Sequence, residues 1–200
     1  MEQDVVIRSG GITLEGRYEE LGSGIASLIA HPHPLYGGNM HNSVVLTMRD
    51  AFWERGISTL RFNFRGVGFS EGSFDQGVGE REDVYAAMDF LKGAGNHTIY
   101  LAGYSFGARV IISLRFKEIL PRAIILVSLP VAFMPVEGSE VKDLPMLIIT
   151  GDRDEISPYP SLQELFGKRP NTRFCLIRGA DHFYWNKEAE LYRAILENLC

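Results

Sequence analysis

Apolar and polar positions alternate between two periods along this chain. Short β-rich runs at residues 5–7, 12–18, 26–30, 58–64, 98–102, 123–127, 146–150 and 172–177 read as strands. Between them stand segments in which apolar side chains recur every three to four residues: 41–55, 80–92, 106–116, 159–166 and 188–199. The first two runs flank Ser9-Gly10-Gly11 and predict an antiparallel hairpin. In residues 41–55, Val44, Val45, Met48, Phe52 and Trp53 are assigned to one face, with Gly56 as the stop. The runs Ala123-Ile124-Ile125-Leu126-Val127 and Met146-Leu147-Ile148-Ile149-Thr150 are continuously apolar, as strands covered on both faces are. Strands alternating with helices predict an α/β fold: a mostly parallel sheet with helices on both faces and an antiparallel hairpin at its start.

No repeat, low-complexity tract or linker interrupts the pattern, so residues 1–200 are expected to form one domain. The stretch from Val127 to Met146 holds Pro130, Pro135, Gly138 and Pro145 and is too short for a helical lid. A formal net charge of −5 offers nothing to nucleic acid or an anionic membrane. No window approaches a membrane span, and the acidic N-terminus lacks the form of a signal peptide, so a cytoplasmic protein is expected. Cys175 sits in an apolar run and reads as a small buried hydrophobe, whereas Cys200 ends the chain; neither stands in a metal or redox pattern.

The chemistry concentrates at three strand ends. After the run at 98–102 comes Gly103-Tyr104-Ser105-Phe106-Gly107, followed at once by a helical pattern. This is the setting of a nucleophile elbow, in which a serine on a sharp strand-to-helix turn projects its hydroxyl above the sheet. A serine hydroxyl needs a base, and the base an orienting acid. Reacting groups in a parallel sheet gather at the carboxyl ends of strands. Gly151-Asp152-Arg153-Asp154 follows one strand and offers two candidate acids. Gly179-Ala180-Asp181-His182 follows the last and offers one histidine. The order is Ser, Asp, His.

With these stretches, His31-Pro32-His33-Pro34-Leu35-Tyr36-Gly37-Gly38 and Asn63-Phe64-Arg65-Gly66-Val67-Gly68-Phe69-Ser70, the chain resembles the α/β-hydrolase superfamily over nearly its whole length. It is similar in particular to the small lidless branch near the dienelactone hydrolases. The resemblance implies Ser105 as nucleophile, His182 as base and Asp154 as acid, with Asp152 as the runner-up. It also implies an oxyanion hole formed by the backbone amides of Phe106 and His33. Independently, Pro32 and Pro34 have no N–H, which leaves His33, Leu35 and Tyr36 as donors in the middle of that loop.

The expected activity is that of a serine hydrolase acting on an ester-type acyl bond of a small molecule, with no cofactor and no metal. Thioesterase, peptidase or acyltransferase chemistry on the same residues, or a non-enzymatic scaffold, are the alternatives. His31, His33 and His41 suggest a metal site, but no carboxylate or cysteine ligand set accompanies them. Tyr36, Phe69, Phe74, Phe133, Met134, Tyr159 and Phe183 are candidate pocket residues, and Arg65 or Arg153 candidate partners for a substrate carboxylate. The natural substrate and the oligomeric state are not legible.

Overall fold

The computed structural model describes residues 1–116, 120–134, 136 and 144–199. Eight strands form one sheet: β1 (Gln3–Ser9), β2 (Ile12–Glu19), β3 (Ile25–Ala30), β4 (Ser58–Phe62), β5 (Thr98–Tyr104), β6 (Ala123–Val127), β7 (Met146–Gly151) and β8 (Thr172–Ile177). Their spatial order is β1-β2-β4-β3-β5-β6-β7-β8. β1 pairs with β2, and β2 with β4, antiparallel; every other pair is parallel. Gly10 and Gly11, at φ 54° and 97°, close the hairpin with the positive dihedrals that a two-residue turn requires.

Among the described residues five helices cover the sheet: α1 (Ser43–Glu54), α2 (Gly79–Gly93), α3 (Phe106–Ile112), α4 (Tyr159–Phe166) and α5 (Glu188–Asn198). Strand alternation divides each apolar run between two cores. Leu101, Ile124, Leu126, Met146 and Ile148 pack with Val84, Ala87 and Leu91 of α2, Ile111 of α3 and Leu162 of α4. Tyr100, Ala102, Ile125, Val127, Leu147 and Ile149 pack on the other face with Val45, Met48 and Phe52 of α1 and Leu191 and Ile195 of α5. Continuous apolarity in the central strands is therefore burial on both faces.

Several boundaries differ from those expected. The helical pattern at 106–116 stops at Ile112, because the amides of Ser113 and Leu114 bond three residues back and the Ser113 hydroxyl donates to the Val110 carbonyl at 2.7 Å. β4 ends at Phe62; the next residue, Asn63, still donates its amide to the Glu15 carbonyl at 3.0 Å, while its side chain accepts from the Met40 amide at 2.7 Å. α1 begins at Ser43, capped by the Asn42 side chain, which accepts from the Val44 amide. Trp53 is 45% exposed and does not join its helix's packed face. At 100° per residue it sits about 125° round the helix from the centre of the Val44–Val45–Met48–Phe52 stripe.

Cys175 is a half-buried free thiol, and burial, reinforced by the Glu197 carboxylate, raises its pKa. Cys200, Pro135 and Gly138 lie outside the described residues. Among the described residues no helix is long and apolar enough to cross a membrane.

β3 lies between β4 and β5, so the chain leaves it towards one side of the sheet and later returns to the other. That reversal opens a crevice above the carboxyl ends of β3 and β5. The loops after β3, β5, β7 and β8 all reach its rim.

Candidate active site

Ser105 joins β5 to α3 with φ 54° and ψ −116°, a backbone region that non-glycine residues seldom occupy. The bend holds only because its flanking glycines let backbones touch. A Cβ on Gly103 would lie 2.5 Å from the Gly107 carbonyl carbon, and one on Gly107 would lie 2.4 Å from the Ala30 oxygen.

His182, from the loop after β8, places Nε2 3.0 Å from Ser105 Oγ. Its Nδ1 lies 3.0 Å from both carboxylate oxygens of Asp154, from the loop after β7. An ionised carboxylate only accepts, so Nδ1 carries the proton and Nε2 is free to accept from the serine hydroxyl. All three residues are buried. Asp154 Oδ1 also accepts from the amides of Ile156 at 3.0 Å and Ser157 at 2.8 Å. Burial alone would raise the Asp154 carboxyl; the hydrogen bond and charge of His182, with the Ser157 amide, outweigh it and hold the group below its ordinary value. Tyr104 donates from its hydroxyl to the His182 carbonyl at 2.8 Å, anchoring the histidine backbone from the strand that carries Ser105.

The other two acids on these loops hold backbone. Asp152 is exposed and accepts from the Gly179 amide at 2.6 Å, tying the β7 loop to the β8 loop. Asp181 accepts from the Phe183 amide at 3.0 Å, an ordinary turn contact.

In the loop after β3 the three candidate donors separate. The Leu35 amide donates to His33 Nδ1 at 3.2 Å, and the Tyr36 amide to the His33 carbonyl at 3.1 Å. The His33 and Phe106 amides donate to no described residue, and both residues line the cleft that contains Ser105. The His33 and Phe106 rings stand 4.9 Å apart.

Behind this loop His31 is fully buried. Its Nδ1 lies 2.6 Å from the Pro32 carbonyl, while its Nε2 accepts from the Phe64 amide at 3.0 Å. The Pro32 carbonyl and the His33 N–H share one planar peptide and point in opposite directions. The buried imidazole thus aims the His33 N–H as it fixes that carbonyl. Burial pushes the His31 pKa down to about 4, with the Pro32 carbonyl opposing the shift.

The histidines that suggested a metal take separate partners. His31 holds backbone, His33 caps a short 3-10 turn, and His41 Nδ1 meets an Arg61 guanidinium nitrogen at 3.2 Å. Among the described residues no group of three or more His, Cys, Asp or Glu is placed to share a metal ion.

The cleft has a volume of about 630 Å³. Tyr36, Phe133, Met134 and Phe183 line it as anticipated, joined by Tyr104, Asn42 and Ile156, which sequence reasoning missed. Phe74 stands behind the wall, against the rings of His33 and Phe106. Phe69 is 91% exposed outside the lining, and Tyr159 packs edge-on against Phe174. Neither arginine enters. Arg65 pairs with Asp83 at 2.7 Å, and Arg153 borders a different depression with Asp152 and Pro158.

Strand order, elbow and cleft together define the α/β-hydrolase class. No protein-family profile matches the chain. An uncharacterized protein of Rickettsia prowazekii (strain Madrid E) is 35% identical over 199 residues, covering 93% of this chain and 84% of that protein. An α/β serine hydrolase homologue from Coxiella burnetii superposes with a TM-score of 0.89 at 34% identity, over 99% of this chain and 97% of its own. A lidless α/β serine hydrolase from Xanthomonas campestris superposes with a TM-score of 0.87 at 28% identity, over 98% of this chain and 92% of its own. This chain belongs to the α/β-hydrolase superfamily, in its lidless branch.

Proposed function

We propose that this hydrolase cleaves an ester-type acyl bond of a small molecule through an acyl-enzyme, without cofactor or metal. The observation that carries the reading is the continuous relay from Ser105 Oγ through both ring nitrogens of His182 to Asp154, each contact 3.0 Å long. Ser105 attacks the acyl carbonyl as His182 Nε2 takes its proton. Asp154 keeps the ring in the required tautomer and stabilises the imidazolium that forms. The tetrahedral oxyanion is met by the N–H groups of Phe106 and His33. His182 returns the proton to the departing alcohol, and a water, activated by the same imidazole, releases the acid. Exposure of the cleft between the β3, β5 and β8 loops suits a substrate that enters directly from solvent.

The test is covalent labelling followed by kinetics. A fluorophosphonate should add once, on Ser105, and Ser105→Ala should lower kcat on a short p-nitrophenyl ester by roughly 10⁴-fold or more with the fold retained. An adduct located on another serine overturns the assignment.

A further inference from the structure

The cleft at Ser105 is polar at its centre and uncharged around it. Among the described residues its lining contains no Lys, Arg, Asp or Glu. Its wall is built from the rings of Tyr36, Phe133 and Phe183 and the Met134 thioether. Among the described residues, Arg65, Arg153 and Lys187 on neighbouring loops are committed or border other depressions. Arg65 binds Asp83 and opens into a separate depression beside Asp75 and Gly79. Arg153 borders the depression beyond Asp152, and Lys187 pairs with Glu190 at 2.9 Å.

The fields that do reach the cleft are negative. Burial lowers the His33 pKa while the Glu80 carboxylate pulls it back up. Burial raises the Tyr104 pKa, and the charges of Asp154 and Asp181 raise it further.

A substrate anion entering here sheds water without gaining a counter-ion and meets like charge. The one negative charge that the site does provide for is the transient oxyanion, answered by amides at a single point. We infer that this site selects esters whose acyl group is uncharged and apolar, and excludes acyl groups that end in a carboxylate. The inference rests on the serine-hydrolase reading above. It separates this chain from the dienelactone-type substrates that its sequence resemblance suggests, because those need a cation in the pocket.

The experiment compares matched six-carbon acyl esters: mono-p-nitrophenyl adipate and its methyl ester, which differ by one charge. The methyl ester should give a kcat/KM about 100-fold or more above that of the acid. The ratio should hold between about 0.05 and 0.5 M salt, because long-range repulsion is screened over that range whereas desolvation in a cleft is not. Phe133→Arg, which sets a cation on the wall, should shrink the ratio about tenfold or more. A matched pair of fluorophosphonates, tailed by the same methyl ester or carboxylate, gives the comparison from labelling rates with no turnover required. Equal rates for the two members of either pair, or a ratio that collapses with salt, overturns the inference while leaving the Ser105 reading intact. Failure of both probes to label Ser105 overturns the reading itself.

Discussion

Acid should loosen this enzyme through one imidazole, and the size of the effect follows from the placement of His31. The ring is inaccessible to water, donates to the Pro32 carbonyl and accepts from the Phe64 amide. Its folded pKa is about 4, against 6.5 for a solvated histidine. Below pH 6.5 the unfolded chain therefore binds a proton that the folded chain refuses until about pH 4. Stability is complete above 6.5 and falls as pH drops through this window. A difference of about 2.5 units, at 1.36 kcal/mol each, amounts to roughly 3 kcal/mol. His33, whose pKa is also lowered, acts in the same direction, so wild type alone does not isolate the effect. Asp154 acts lower: its depressed carboxyl stabilises the fold above its ordinary range, and that share is lost only as pH falls through its folded pKa. The comparison is with His31→Gln, which retains an acceptor for the Phe64 amide and cannot titrate. Urea unfolding of both proteins at fixed ionic strength, from pH 7 to pH 4, gives the two curves. The variant should be less stable at pH 7 by about 1–2 kcal/mol for the lost contact of Nδ1–H to the Pro32 carbonyl. Wild type should then lose roughly 3 kcal/mol relative to it on acidification, so the curves cross. Parallel curves would refute the reasoning, since they would mean that His31 takes up its proton equally in both states.

Asp154→Asn should lower kcat roughly 10²- to 10⁴-fold, while Asp152→Asn should chiefly lower stability by releasing the Gly179 amide; steady-state kinetics and thermal melts on both variants would expose a reversed assignment. Exhaustive EDTA treatment should leave ester hydrolysis unchanged, and activity that is lost and then restored by zinc or manganese would contradict this. Rates on p-nitrophenyl esters should fall once the acyl chain passes about eight carbons, because a cleft of this volume buries limited apolar area; a preference for long chains, with a step in rate at the aggregation point, would count against an open site.

The elbow was legible because its requirement is written in residue type: glycines must stand where Cβ atoms would meet backbone at 2.4–2.5 Å. The histidine was legible from its place after the last strand. The carboxylate that meets His182 was legible only as one of a pair, since Asp152 and Asp154 share one loop. Which of them turns inward depends on how the loops after β7 and β8 dock, with the Asp152 amide bound to the Ile177 carbonyl. Tyr104 stood inside the elbow motif, but sequence does not reveal that its hydroxyl reaches the His182 carbonyl. The end of α3 was misjudged because apolar spacing continues through Leu114 and Phe116 after the backbone has left the helix. The His-x-His spacing that suggested a metal could not show that His31 turns inward to Phe64 while His33 caps its own turn.

The backbone of Ser105 has a consequence for how this protein tolerates change. A serine held at φ 54° and ψ −116° sits in a region that only glycine occupies freely, at a cost of order 1–3 kcal/mol. That cost falls on the whole fold, while the benefit is confined to one hydroxyl. The substitution that relieves it, Ser105→Gly, also removes that hydroxyl. On the mechanism proposed above, selection for thermal stability alone would therefore favour an inactive descendant, and screens for robust variants of this scaffold need an activity filter at this position above all others.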